Sequence, residues 1–426
     1  MIRIFIRRLY ALFDVIIIPY CLLLNILIKV IYRGKKNKIG ILNLEYFHKN
    51  AGGFGGFGKS AKNITDHFNN NGRFFEAEIL LPISKRTTIV NIHNTDVIMG
   101  PSASSYNIIH ELKYLHMINM SNFDVLITME YYKTYERSII YLTRTPVIIW
   151  IHDPRPYEYC RRITTVSLEV KCGGIDAQHL KEREIRIRES IQKVIKLSKL
   201  FKRKVVFATT AKCLIERAKK LYDIDDIESI VLPTPVDIPQ INNINHSSRP
   251  SILFLGRLDP VKRPWIFFEL AKLFSGVDFI VAGITHFPEI MNPVISGYTS
   301  IPNLKFLGLV DDKGKDVLLK NVWAIVNTSV HEALPVSFLE SFAYGKPVIS
   351  CQNPDNFVEN FGYYTGEILG DGFDSATVGI FTDALHKLFN NNEERLEKGK
   401  AAREFIKSNY SFKSFENALQ NIIKNF

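Results

Sequence analysis

The feature that most constrains this chain is a repeated alternation. Short β-rich runs are separated by stretches of helical period, and the series is broken once by a polar, proline-rich segment. KIGILNLEY, FDVLITM, PVIIWIHD and KVVFATT precede the break; SILFLGR, VDFIVAG, LKFLGLV, VWAIVNT and KPVIS follow it. Amphipathic stretches lie between several of them, for example around Ala61 to Asn71 and Cys213 to Tyr222. Such alternation predicts parallel sheets with helices on both faces. The break, PTPVDIPQINNINHSSRPS from Pro233 to Ser251, has the composition of a linker. The expected architecture is therefore α/β: two Rossmann-like, doubly wound domains in series, facing a cleft. The first domain is placed at 38–237, the linker at 238–250, the second domain at 251–410 and a closing helix at 411–426. A chain of 426 residues gives each half enough length to bury its own core. Ligands of such sheets bind beyond the carboxyl ends of the strands.

Residues 1–37 stand apart as a hydrophobic helical segment. Its apolar part, residues 4–32, reads IFIRRLYALFDVIIIPYCLLLNILIKVIY. A simple span needs about 20 uninterrupted apolar residues, and Pro19 and Asn25 interrupt the cleanest run. Arg3, Arg7 and Arg8 precede it; Arg33, Lys35, Lys36 and Lys38 follow it. Basic residues prefer the cytoplasmic side, so both ends favour the same side. The reading is a re-entrant or in-plane anchor kinked at Pro19, with a tilted single span as its rival. It places the protein at the cytoplasmic face of the inner membrane. No cleavage signature of a signal peptide follows.

The net charge of +11 suits an anionic partner, such as a phosphate-bearing substrate or an anionic membrane surface. The run Gly173 to Lys204 is strongly basic; it reads equally as a membrane-lying amphipathic helix or as the solvated face of a packed one. The five cysteines are scattered and form no CxxC pair, which excludes a disulfide framework and fits a reducing compartment. Asp223-Ile224-Asp225 reads as a solvated loop, and no metal site is expected. High Ile, Asn and Lys usage fits an AT-rich bacterial genome.

The strongest chemical signal is HEALPVSFLESFAYGKPVIS, from His331 to Ser350. Pro335 suits the first position of a helix running to about Tyr344, which Gly345 can cap. The free N–H groups of Val336, Ser337 and Phe338 would then form a phosphate-binding helix start. Glu332 and Glu340 are carboxylates suited to the diols of a sugar or a ribose. The second element is FLGRLDPVKRP, where Arg257 and Lys262 supply two fixed cations suited to a diphosphate. His152 and Asp153 end the strand PVIIWI; a strand-end histidine in a cleft can bond a sugar hydroxyl, while Asp153 suits the turn with Pro154.

Here the chain resembles a known family. LFLGRLDPVKRP, NLKFLGLVDD, LLKNVWAIVNTSVHEALPVSFLESFAYGKPVIS and YSFKSFENALQNI are similar to family 4 glycosyltransferases of the GT-B fold. The Gly-rich loop, WIHDP and LPTPVD of the first half resemble it more loosely. The resemblance implies a retaining enzyme that moves a hexose-type sugar from a UDP or GDP donor without a cofactor or metal. It implies Glu332 and His152 at the reacting sugar and Glu340 on the ribose. The diphosphate falls to Arg257 and Lys262, with Leu334, Pro335, Val336 and Ser337 supplying the rest of the donor wall. Departures are Ala333 where the family has Gly, Arg263 in place of a common Gly, and PTPVD at the junction. With the N-terminal segment, the expected acceptor is a lipid-linked glycan in surface-polysaccharide assembly.

NAGGFGGFGKSAKN, from Asn50 to Asn63, admits a second reading. Gly53 to Ser60 fits the P-loop pattern GxxxxGK[ST], which would make the chain an NTPase depending on Lys59. Against it, HKNAG separates the pattern from its strand. In the transferase reading Gly55 and Gly56 approach the donor, and Gly52, Gly53 and Lys59 serve the acceptor or the phosphates. A sugar-nucleotide epimerase of the same fold is the remaining alternative.

Overall fold

The computed structural model describes residues 17–24, 26–27, 37–46, 56–102, 108–173, 177–225, 227, 230–241 and 247–426. The first domain holds a seven-stranded sheet of β1 (Asn37–Leu42), β2 (Phe75–Ser84), β3 (Thr88–Ile92), β4 (Thr95–Pro101), β5 (Val125–Met129), β6 (Val147–Ile151) and β7 (Val205–Thr209). Its order is β3-β4-β2-β1-β5-β6-β7, parallel throughout except for the β3–β4 hairpin. β5 and β6 are buried along their whole length, as their unbroken apolar sequences require of strands covered on both faces. The sequence reading singled out β1 and β5–β7 but not β2–β4. Pro82 obscures β2, and it falls where the register with β4 shifts between Leu81 and Ser84, a place where a strand tolerates proline. His93 and Asn94 turn the β3–β4 hairpin with positive φ of 49° and 65°, so no glycine marks it.

The second domain holds a six-stranded, all-parallel sheet: β8 (Ser251–Leu255), β9 (Asp278–Ala282), β10 (Leu304–Gly308), β11 (Ala324–Asn327), β12 (Val348–Ser350) and β13 (Tyr363–Tyr364), in the order β10-β9-β8-β11-β12-β13. The chain crosses between the domains in a few residues. Leu232 packs in the first core and Val236 in the second, where its N–H bonds to Tyr410 O. It crosses back before the last helix, Phe412–Lys424, whose start is capped by the Ser411 hydroxyl accepting from Ser414 N–H. That helix buries Phe415, Leu419 and Ile422 against the first sheet, beside Phe68 and Trp150.

Two stretches tested by charge and hydropathy take definite places. The helix Ala177–Leu200 buries Ile187, Ile191 and Val194 in the first core and turns its charges outward. Glu182–Arg186 and Glu184–Arg188 pair along its surface, so the basic run is the outward face of a packed helix. Of the apolar N-terminal segment, residues 17–24 and 26–27 are helical. Ile17 and Cys21 are buried in the first core with Ile18 and Leu24 against it, while Tyr20, Leu23 and Leu27 are exposed. The rest of residues 4–32, with the basic flanks up to Lys36, lies outside the described residues. Among the described residues, no helix is long and apolar enough to cross a membrane.

Candidate active site

The candidate residues collect at the carboxyl ends of β6, β8 and β11, where the two sheets face each other. Gly256 and Arg257 follow the end of β8, and the loop then forms a single 3-10 turn, Pro260–Lys262. Gly256 meets the end of β9 closely: a Cβ on Gly283 would lie 1.8 Å from Gly256 O, so only glycine fits there. The loop after β11 is fastened to this turn. Val330 N–H donates to Val261 O, and the Thr328 hydroxyl donates to Lys262 O at 2.7 Å.

This fastening brings Lys262 to Glu332. Their Nζ–Oε1 distance is 2.5 Å, and the same oxygen accepts from Ser329 Oγ at 2.6 Å and Asn327 Nδ2 at 3.0 Å. Burial alone would raise the Glu332 carboxyl; the Lys262 charge and these donors outweigh it and hold it below the usual range. Glu332 is thus an ionised, fixed acceptor at a strand end. Arg257 stands nearby on a more exposed branch, 2.6 Å from the buried Asp259 and 3.0 Å from His286 Nδ1.

The helix after this loop is Val336–Ala343. Pro335 is its N-cap and not its first helical residue, and Phe338 N–H is taken by Pro335 O at 3.0 Å. Both are corrections to the expected geometry. The first-turn amides left without an intrahelical partner are those of Val336 and Ser337. At the other end Gly345 has φ 68°, its N–H bonds Phe342 O, and Lys346 N–H bonds Ser341 O. That paired pattern closes the helix. Ala333 has no positive φ and packs with Ala211 and Leu214 of the first domain, with Leu334 against them. The alanine therefore fits the backbone where the family has glycine. On this helix Glu340 is bonded to the ammonium of Lys315.

On the first domain, His152 and Asp153 follow β6. The backbone N–H groups of both donate to Glu130 Oε2, at 3.0 and 2.6 Å, and Tyr222 donates to its Oε1. Glu130 thereby sets the path of the loop. The His152 ring lies against Trp150 and Phe57, and its Nε2 is buried without a hydrogen-bond partner in the protein. Burial pushes its pKa down to about 3, against the opposing charge of Asp153, so the ring is neutral. Asp153 does more than shape a turn. Its Oδ1 lies 3.0 Å from His331 Nε2 of the second domain, and its Oδ2 holds Arg155. Burial would raise this carboxyl, but Arg155 and His331 hold it below the usual range. The neighbours of His152 and of Glu332 thus touch each other across the cleft.

The Gly-rich loop divides. Gly52, Gly53 and Gly55 lie outside the described residues. Gly56 opens the helix Gly56–Asn70, Gly58 N–H donates to Glu45 at 2.8 Å, and Lys59 Nζ lies 2.5 Å from Asp312 of the second domain. Both groups that a P-loop would aim at phosphate thus face carboxylates. Asp223 is the left-handed residue that ends the helix Ile215–Tyr222. Among the described residues no cluster of three or more His, Cys, Asp or Glu is arranged to hold a metal ion. The sequence reading missed Glu130, Asp312, Lys315 and the His331–Asp153 pair. His331, Asp153 and Asp312 stand inside quoted motifs without their partners being evident; Glu130 and Lys315 carry no local signature.

Residues 237–405 match the family described as Glycosyl transferases group 1. No curated protein sequence matches the chain. Among solved structures, Anabaena HepE in complex with UDP covers 92% of this chain and 100% of its own at 12% identity, with a TM-score of 0.63. Sucrose-phosphate synthase from Thermosynechococcus elongatus covers 92% and 99% at 12% identity, with a TM-score of 0.60. WaaG, a glycosyltransferase involved in lipopolysaccharide biosynthesis, covers 89% and 98% at 14% identity, with a TM-score of 0.58. At these identities the likeness defines the fold, which is GT-B. With the family match over the second domain, it supports a glycosyltransferase.

Proposed function

We propose that the protein transfers a hexose-type sugar, with retention, from a UDP- or GDP-sugar to a lipid-linked glycan at a membrane surface. The observation that carries this reading is the Lys262–Glu332 pair, fixed at a strand end beside a free helix start and joined to the first domain through His331 and Asp153. Anabaena HepE has been solved with UDP and with UDP-glucose, which favours UDP here. Lys262, Arg257 and the amides of Val336 and Ser337 would receive the diphosphate, and Glu340 the ribose. Glu332 accepts from sugar hydroxyls. Neutral His152 meets another through its unpartnered Nε2.

In the transfer step the bond from the anomeric carbon to the diphosphate oxygen breaks. The acceptor oxygen bonds that carbon from the same face, and its proton passes to a phosphate oxygen. Charge grows on the leaving diphosphate, and preorganised cations and amides stabilise it without a metal. The exposed Tyr20, Leu23 and Leu27 of the N-terminal helix supply an apolar surface for the membrane, and the basic flanks supply the charge. Surface-polysaccharide assembly is the setting this favours.

The test is donor consumption with and without acceptor lipid extract. Glu332→Gln and Lys262→Ala should each lower turnover by at least about 100-fold, the scale of one lost transition-state contact, while leaving the fold intact. Near-normal turnover by both would reject the assignment. Conversion of the donor sugar without any acceptor would point to an epimerase instead.

A further inference from the structure

The carboxylate assigned to the ribose does not stand alone. Lys315, on the helix Asp312–Asn321, bonds Glu340 Oε1 through its ammonium, and the same nitrogen lies 3.7 Å from Asp312 Oδ1. The two side chains are about equally open, at 21% and 18% exposure, so a ligand in the cleft can reach both. Burial would push the Lys315 ammonium down, but the charge of Glu340 outweighs it and holds the group above its ordinary value, so it stays protonated. Asp312 in turn receives Lys59 from the first domain. The result is a row of alternating charges, Glu340–Lys315–Asp312–Lys59, running from the nucleotide side of the cleft to the opposite domain.

A vicinal diol has two O–H donors and also lone pairs. A carboxylate reads only the donors, and an ammonium, with three N–H groups, reads only the lone pairs. Side by side they read both. We propose that Lys315 and Glu340 together form the ribose clamp of the donor site. Lys315 is then a specificity-determining residue that rejects a nucleotide lacking a ribose hydroxyl. The reason is that a polar site built for a hydroxyl is left unpaired by the analogue without it. The inference rests on the reading of Glu340 as the ribose contact. It goes beyond that reading by giving half of the recognition to a residue on another helix. Asp312 and Lys59 hold that helix to the first domain, so the Lys of the P-loop-like pattern acts as a strut of the clamp.

The test is titration calorimetry of the full chain with UDP and with 2′-deoxy-UDP, using wild type, Lys315→Met and Lys315→Arg. Wild type should bind UDP at least about ten-fold more tightly than the deoxy analogue, the value of one charge-assisted hydrogen bond. Lys315→Met should lose most of that ratio, and Lys315→Arg should recover it. A purely structural ion pair would leave the ratio unchanged in Lys315→Met, and that result would overturn the proposal. Equal binding of both nucleotides by wild type would overturn it without any variant. Failure of wild type to bind UDP, GDP or ADP at all would instead remove the nucleotide-donor reading, and the clamp with it.

Discussion

At position 263 the backbone is left-handed, with φ 45° and ψ 53°, and the residue there is a fully buried arginine. The family's common glycine is explained by the first fact, and the arginine by what its guanidinium does. It donates to Thr328 O at 2.8 Å, to Gly370 O at 2.9 Å and toward Cys351 Sγ at 3.2 Å, tying three loops of the second domain together. Burial lowers its pKa. Arg263→Ala should cost about 2–4 kcal/mol in denaturant unfolding, because the buried Thr328 carbonyl and the part-buried Gly370 carbonyl lose their donor. Arg263→Gly should be the milder change by about 1 kcal/mol, since it removes the left-handed strain. The buried histidines make a second prediction. His152 and His331 are both lowered by burial, so below about pH 6.5 the unfolded chain takes up protons that the folded chain refuses. Stability should fall on acidification, by up to about 1.4 kcal/mol per pH unit for each. Melting temperatures measured at pH 7.5 and 5.5 would show it, and His152→Gln should flatten the slope.

Elements differed in how far local sequence could specify them. The nine strands quoted from the sequence all form, because continuous apolar runs bounded by turn residues leave few alternatives. β2–β4 were hidden by Pro82 and by a turn without glycine. The helix Val336–Ala343 was legible to within a residue at each end; capping chemistry is local, but whether Pro335 is N-cap or first residue depends on its ψ of 129°, which the sequence does not show. Lys262 and Glu332 were readable as residue types. Their contact was not, since the two residues lie 70 apart in the chain and meet through loops fastened by Val330 N–H to Val261 O and the Thr328 hydroxyl to Lys262 O. The closing helix gives a test at this scale. Phe415 is fully buried between Phe68 and Trp150 of the other end of the chain. Phe415→Ala should destabilise the first domain by about 3–5 kcal/mol, read from the unfolding midpoint. A loss below about 1 kcal/mol, the scale of a surface change, would mean that the helix is not part of that core.

Across the whole molecule, the domains meet through charged and polar contacts around the site, together with the apolar packing of Ala333 on Ala211 and Leu214. Asp355 accepts from the N–H groups of Lys212 and Cys213, Asp371 accepts from Ser167, and Arg217 donates to Glu332 O. With Asp153–His331 and Lys59–Asp312, these fix how the two half-sites face each other. Because Lys59 acts through this contact, Lys59→Ala should raise the donor KM by up to about five-fold and leave kcat nearly unchanged, the loss expected for one surface-linked ion pair. A P-loop enzyme would lose turnover altogether.

The central claim is that the cleft holds a nucleoside diphosphate by Glu340, Lys262 and the start of the helix Val336–Ala343. The most direct measurement is a thermal-shift titration of the full chain with UDP, GDP, ADP and ATP, with and without Mg²⁺, since a ligand of the folded state raises its melting temperature. The account predicts stabilisation by one nucleoside diphosphate without Mg²⁺, lost in Glu340→Ala. Stabilisation only by Mg-ATP, kept in Glu340→Ala and lost in Lys59→Ala, would contradict it.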